Sequence, residues 1–301
     1  MTSIDLIIPS VGRPEVLAQA LTAVRQHAAA IHEVIVVMRQ GDDETLRIAQ
    51  KYEATAVFVD RPGLAWAMRT GARASAANVI AFTDDDAEIT AGWFDRLHAI
   101  YQDAGVGAAG GKDVQDDGGA AFSGRAAAIG QIDRWGRVVG GHHVVSGALR
   151  SASHLKGANC SFRRSLFVAY DAQSLVAGQG AQAKNELVAT LGIKSQGFDV
   201  VLDPALIVLH HPAPRLPGDD RTYSVSKAYE ASHNEVLAFH LAKHPKRWTN
   251  AAMITLVGYR HAPGLLRLAL GSAPTLVRAT LRGVAAGVVT GRRHRKSVTA
   301  K

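Results

Sequence analysis

VIAFTDDD, Val79 to Asp86, moves in eight residues from an apolar run to three consecutive carboxylates. A short β-prone run stopped by polar residues reads as a buried strand. Adjacent carboxylates repel, so a strand ending on Asp84, Asp85 and Asp86 needs a cation or hydrogen-bond donors to offset the charge. Hard oxygen donors on a loop suit Mg²⁺ or Mn²⁺, which take one or two carboxylates and leave room for substrate phosphates. The plainer reading is a solvated acidic turn ahead of a helix near Thr90.

Upstream, apolar strand-like runs alternate with helical ones. Ile4 to Ile8 is a buried strand stopped by Pro9, with Ser10 to Pro14 as its loop. Glu15 to Ala30 has helical spacing, Glu33 to Met38 is a second strand, and Gly41 opens a helix to about Tyr52. Ala56 to Val59 and the helix Leu64 to Ala74 complete the series before Val79. Strands alternating with helices at this spacing predict an α/β fold, a mostly parallel twisted sheet flanked by helices. Ligands bind such sheets at the carboxyl ends of the strands, where the three aspartates fall.

Residues 105–147 hold 12 of the 29 glycines and read as loops and short strands around a site. Lys184 to Gln196 is a helix by pattern, stopped by Gly197. Val200 to Leu202 and Leu206 to Leu209 are strand candidates that deliver His210 and His211, and Tyr223 to His244 is helical. One of the two imidazoles at that strand end could complete the coordination of a metal held by the aspartates. A satisfied core or surface histidine is the ordinary alternative.

Of the 301 residues, 47% are hydrophobic and 20% charged, as in an ordinary globular protein. Aromatics at 6% argue against a base-stacking platform, and no nucleic-acid motif is recognisable, so no nucleic-acid partner is expected. A single cysteine, Cys160, excludes a disulfide framework and fits a reducing compartment. The first residues lack a secretory pattern, so a cytoplasmic location is expected.

The net charge of +8 is unevenly spread: residues 221–301 carry 14 lysines and arginines against two acids, while residues 1–220 carry 20 against 24. No acid occurs from Ala251 onward. Gly and Pro divide this tail into apolar pieces, none long enough to span a bilayer. Its last piece puts Val277, Leu281, Val284 and Val288 on one helical face, Arg278 and Arg282 on another, and ends in a basic cluster at 292–296. Such a helix fits an anionic membrane surface, peripheral on the inner face of the plasma membrane. It equally fits a helix packed on the body.

Four segments in order, IDLIIPSVGRPE, VIAFTDDDAEITAGWFDRL, LKGANCSFRR and NELVATLGIKSQGFDVVLDPALIVLHH, resemble family 2 glycosyltransferases over about residues 3–212. The resemblance implies a GT-A fold: a GT-A domain at 1–220, with a nucleotide-binding half to about 104 and an acceptor-binding half at 105–220. A basic helical extension at 221–301, membrane-associating on one reading, lies outside it. It implies an inverting transferase moving a sugar from a nucleotide-diphosphate donor to a hydroxyl acceptor on a glycan or glycolipid; the basic, amphipathic tail, by holding the enzyme at the inner membrane face, would suit a lipid-linked or envelope-precursor acceptor.

By the same resemblance, Asp84 and Asp86 match the ends of the DXD motif, with Asp85 between them; Asp84 lies near the ribose, and Asp86 holds Mn²⁺ or Mg²⁺ with His210. Pro9 and Arg13 match the loop under the base, and Arg69 a basic residue placed to contact the nucleotide. Gly157 and Asn159 match the acceptor-side turn, with Arg163 the basic residue trailing it. Glu186 stands in place of the catalytic base, and burial would suit it to take a proton from a hydroxyl. Two positions depart from the pattern. Met38 and Arg39 occupy the place of an acid that reads the base, so Arg39 becomes the candidate there, and Asn185 replaces the first acid of the Glu-Asp pair. These departures motivate a second reading, a non-catalytic sugar-nucleotide binder or membrane scaffold. A nucleotidyltransferase is disfavoured because the loop after the first strand has one glycine and no phosphate-cradling pattern.

Overall fold

The computed structural model describes residues 2–27, 31–115, 126–213 and 224–299, with side chains to 294. β1 (Ile4–Pro9), α1 (Pro14–His27), β2 (Glu33–Arg39), α2 (Asp43–Lys51), β3 (Thr55–Val59), α3 (Leu64–Ala74) and β4 (Val79–Phe82) follow the alternation expected from the sequence. β1, β2, β3 and β4 pair in parallel, in the order β3-β2-β1-β4. β1, β2 and β4 are mostly apolar because helices cover both faces, while the edge strand β3 leaves Thr55 and Phe58 exposed. Asp42 starts α2 by accepting the Thr45 amide.

Beyond β4 the sheet becomes mixed. β5 (Ala87–Ile89) and α4 (Trp93–Ile100) follow the acidic edge, where the sequence pointed only to a helix. The glycine-rich segment then forms a ten-residue central strand, β6 (Val106–Gln115), with β7 (Arg150–Ser151) and β8 (Cys160–Arg163) nearby. After α5 (Arg164–Tyr170) and α6 (Asn185–Ser195), β9 (Asp199–His210) joins both of the expected strand fragments into one. The order continues β4-β8-β6-β9-β5, with β7 on β9; β6 pairs with β9 in parallel, while β8, β5 and β7 run antiparallel to their neighbours.

One apolar layer joins Leu17, Leu21, Trp93, Phe94 and Leu97 to one face of the sheet. The other joins Met68, Phe82, Phe162, Phe167 and Ile193 to the opposite face. At 25 cal/mol per Å² of apolar surface, each such side chain contributes roughly 1.5–3 kcal/mol.

The C-terminal region is helical: α7 (Val225–Leu241), α8 (Arg247–Leu256), a ribbon of β10 (Gly258–Tyr259) and β11 (Ala262–Pro263), a 3-10 turn at Leu265–Leu268, and α9 (Pro274–Thr299). The expected boundary at residue 220 lies outside the described residues. Leu237 and Phe239 of α7 share a core with Leu187 and Leu191 of α6. α9 lies along α7, made possible by Gly283 and Gly287: a Cβ at the first would meet Ser232 Oγ, and at the second would fall 2.6 Å from His233 O. Val277 and Val284 are buried and Val288 packs with Val236, so the face left open between membrane and body is turned to the body. Among the described residues no helix is long and apolar enough to cross a membrane.

Candidate active site

The carboxyl ends of β1, β2 and β3, the acidic edge after β4, the Lys156–Ala158 turn and the start of α6 enclose a cavity of about 450 Å³. It lies at the strand ends where an open α/β sheet binds ligands. Pro9, Arg13, Arg39, Asp84, Asp85, Asp86, Gly157 and Glu186 all line it.

The three aspartates have different surroundings. Asp85 is buried; it accepts from Ser10 Oγ at 2.8 Å and from Arg13 in a forked pair, with Nε at 3.2 Å. Burial pushes its carboxyl up to about 7, against the pull of Arg13 and Ser10. Arg13 also reaches Asp86 at 3.5 Å, so it neutralises the edge as well as lying beside the cavity. For Asp86, burial opposes the charge, but His210 and the Ala213 amide, 3.1 Å away, outweigh it and hold the carboxyl below its ordinary value.

Asp84, Asp86 and His210 each turn one donor atom into a group within 4.8 Å, so they could hold a divalent cation. Two carboxylates and an imidazole are a donor set that Mn²⁺ accepts readily. His210 Nε2 lies 3.2 Å from Asp86 Oδ1, and Nδ1 lies 3.9 Å from Asp113 Oδ2, a buried carboxylate that pairs with Lys156. Burial lowers the affinity of His210 for its proton, but Asp113 and Asp86 override this and raise it to about 9. His211 turns away, toward Glu88 at 3.6 Å.

A pH prediction follows for metal-free protein. A histidine whose folded value is about 9 rather than 6.5 stabilises the fold fully below pH 6.5, and that stabilisation is lost as pH rises toward 9. The loss is on the order of 3 kcal/mol, several degrees of Tm. The buried His142, His154 and His233 and the half-buried His244 are pushed down by desolvation and titrate below that window. In chelator, Tm should fall between pH 6.5 and 9, and His210→Gln should flatten the fall. A wild-type Tm level across that range would contradict it.

Glu186 sits in the first turn of α6, after Lys184 at φ 66°. Burial raises its carboxyl above the ordinary value, and Asp84 across the cavity adds to the effect. Lys184 is held by Glu235 at 3.1 Å and lies over the Tyr259 ring at 5.6 Å. Asn185 is buried and donates to Gln182 O at 2.9 Å. Gln182 in turn accepts the Ala65 amide at 2.9 Å, tying this loop to the start of α3.

Three expected site residues are placed elsewhere. Asn159 is fully buried: it donates to Lys112 O and Leu206 O and accepts from Trp93, so no polar atom remains for an acceptor. Arg163 lies at the opposite end of the sheet and donates to the carbonyls of Val106, Tyr101 and Asp103. Arg69 pairs with Asp171 at 2.5 and 3.0 Å and lies over Trp66, outside the cavity lining. Sequence reasoning missed Ser10, Arg61, Asp113 and Lys156. Of these, Ser10 and Lys156 lie inside quoted motifs, whereas Asp113 could be found only by recognising β6 as a strand.

Among solved structures, the chain is similar to TarS 1–349 of S. aureus in complex with UDP-GlcNAc: 11% identity, 98% of this chain and 92% of that one, TM-score 0.59. It is similar to the mannosyltransferase PcManGT from Pyrobaculum calidifontis in complex with GDP-Man and Mn²⁺: 16% identity, 97% and 87% coverage, TM-score 0.52. It is also similar to GalNAc-T7 with UDP, GalNAc and Mn²⁺: 14% identity over 80% of this chain, TM-score 0.56. In that last case the match spans 48% of the GalNAc-T7 chain, about half its length. No curated protein matches the sequence. At these identities the likeness establishes the fold alone. The sequence model described as Glycosyl transferase family 2 matches residues 5–168, more than half of the protein. With the helix-flanked sheet and the acid-edged cavity at its strand ends, the chain belongs to glycosyl transferase family 2.

Proposed function

We propose that this glycosyltransferase moves a sugar, with inversion, from a nucleoside-diphosphate donor to an acceptor hydroxyl. The reading divides the chain as the sequence suggested: a GT-A domain at 1–220, with donor and acceptor halves meeting near 104, and an extension at 221–301. One observation carries it: the acidic edge, a set of cations and the half-buried Glu186 carboxylate line a single cavity. The solved relatives that hold UDP, UDP-GlcNAc or GDP-Man support a nucleotide-sugar donor.

Asp84, Asp86 and His210 would hold Mn²⁺ or Mg²⁺, which when bound supplies positive charge against the diphosphate. Arg39 and Arg61 would face the nucleotide from the ends of β2 and β3, and Lys156 would add charge from the acceptor turn. Glu186 would accept the proton of the attacking hydroxyl. The new C1–O bond forms opposite the breaking C1–O bond, whose electron pair leaves with the nucleoside diphosphate. Gly157 and Ala158 would bound the acceptor. A lipid-linked or envelope-precursor acceptor, reached from the anionic inner face of the membrane, fits the strongly basic extension, which has no acid from Ala251 onward.

The test is thermal stabilisation by UDP, GDP and dTDP, each with and without Mn²⁺. At a hundredfold excess over Kd, a ligand selective for the folded state adds roughly 2.7 kcal/mol, several degrees of Tm. One diphosphate should stabilise the protein only with Mn²⁺, and Asp86→Ala should abolish the shift. Failure of all three with Mn²⁺ would overturn the site assignment.

A further inference from the structure

The sequence after α8 reads Tyr259-Arg260-His261-Ala262-Pro263-Gly264-Leu265-Leu266-Arg267-Leu268-Ala269-Leu270. Leu256, Leu265, Leu266, Leu268 and Leu270 are all exposed, Leu266 at 61% and Leu270 at 81%. Single exposed leucines are ordinary, but four at one turn, with Leu256 at the end of α8 as a fifth, are not. The turn is ordered by its own backbone: Gly264 N donates to Val257 O, Leu270 N to Arg267 O and Ser272 N to Arg267 O. Arg267 Nε also donates to Val257 O at 3.2 Å, which leaves the leucines as the outermost side chains of a fixed knuckle.

The surroundings are basic. α9 begins four residues after Leu270, and its exposed positions beyond the first turn, up to residue 294, are Arg278, Arg282, Ala285, Val289, Arg292 and Arg293. The spacing from 278 through 282, 285 and 289 to 292 keeps these residues on one side of the helix. Its opposite side is occupied by α7. No acid occurs in the sequence after Glu235, so neither the knuckle nor α9 carries one.

We infer that the Leu265–Leu270 knuckle and the arginine side of α9 form one docking surface for an anionic lipid bilayer. Leucines enter the interfacial zone while the arginines meet headgroup phosphates, the pairing that holds amphipathic elements at a membrane surface. The charge chooses this occupant over a second copy of the chain. A two-fold contact would set the same arginines against one another with no carboxylate to relieve them.

The surface is also joined to the catalytic half. The β10–β11 ribbon leads directly into the knuckle, and its Tyr259 packs under Lys184, two residues before Glu186. The inference rests on the membrane part of the proposed function and not on glycosyl transfer itself.

The test is co-sedimentation of the full chain with phosphatidylcholine vesicles with and without 30% phosphatidylglycerol (about one anionic lipid in three, enough for a strong surface potential). Wild type should bind the anionic vesicles and be released by salt. Leu266→Gln with Leu270→Gln should weaken binding about tenfold or more, and Arg278→Gln with Arg282→Gln should weaken it and reduce its salt dependence. Both variants should keep the wild-type Tm and Mn²⁺-dependent nucleotide shift, which shows the fold and donor site intact. Absence of wild-type binding, undiminished binding by the leucine variant, or a concentration-dependent dimer abolished by it would overturn the inference. In each case the nucleotide shift would still report separately on the transferase reading.

Discussion

Glu186→Gln should lower the transfer rate by about 10²–10⁴-fold while leaving Mn²⁺-dependent stabilisation by the nucleoside diphosphate unchanged. The amide keeps the size and hydrogen-bonding shape of the carboxyl but cannot take a proton from an acceptor hydroxyl. Burial already holds this carboxyl above its ordinary value, which brings its basicity closer to the operating pH. The acidic limb of kcat/KM in the wild type should accordingly lie above the usual carboxylate range and report the free enzyme. Glu186→Asp should recover part of the rate, because the base is retained one methylene further from the acceptor. Measured transfer within threefold of wild type in the glutamine variant would remove Glu186 from the mechanism. Intact nucleotide binding with no turnover in the wild type itself, over a broad acceptor panel, would favour the non-catalytic binder instead.

The first half of the fold was legible because its strands are short apolar runs and its helices show helical spacing between them, with Asp42 capping α2. β1 to β4 and α1 to α3 therefore fall close to their expected limits. β6 was hidden by composition. Gly107, Gly110 and Gly111 read as loop because glycine weakens a strand, yet here other atoms occupy the space a side chain would need. β9 looked like two strands because Pro204 and Asp203 interrupt its apolar pattern. β5 is three residues long and too short to announce itself.

The candidate site divides on the same physical line. Asp84, Asp86, His210 and Glu186 were found because each closes or opens a recognisable element. Asn159 and Arg163 were expected at an acceptor, but β8 directs them into the sheet and toward its far end, where backbone carbonyls consume their donors. Arg69 needed knowledge of Asp171, 102 residues away in sequence. Asp113 and Lys156, which brace His210 and the acceptor turn, become visible only once β6 is a strand that ends beside β9.

Gly111→Ala should destabilise the protein by about 3 kcal/mol or more, at or beyond the usual upper range for overpacking, because the obstacle is backbone. A Cβ there would lie within contact distance of Leu206 O, a carbonyl already fixed by Asn159 Nδ2 at 2.8 Å. The close approach belongs to an irregularity in the β6–β9 ladder: Gly111 pairs with Asp203 and the next residue, Lys112, pairs with Ile207. Three residues of β9 are thus taken up opposite one step of β6, and the remainder of β9 is re-aimed, as bulges do. That remainder ends at His210, opposite Gln115. The same substitution should therefore weaken Mn²⁺-dependent nucleotide stabilisation even at temperatures where the variant stays folded. Gly140→Ala is the control, because nothing lies within 4 Å of a Cβ at that position. Denaturant unfolding of both variants decides the matter. A Gly111→Ala loss no larger than that of Gly140→Ala would show that β9 reaches the metal-binding edge without this contact. A large loss confined to Gly111 would tie the hidden strand to the placement of His210.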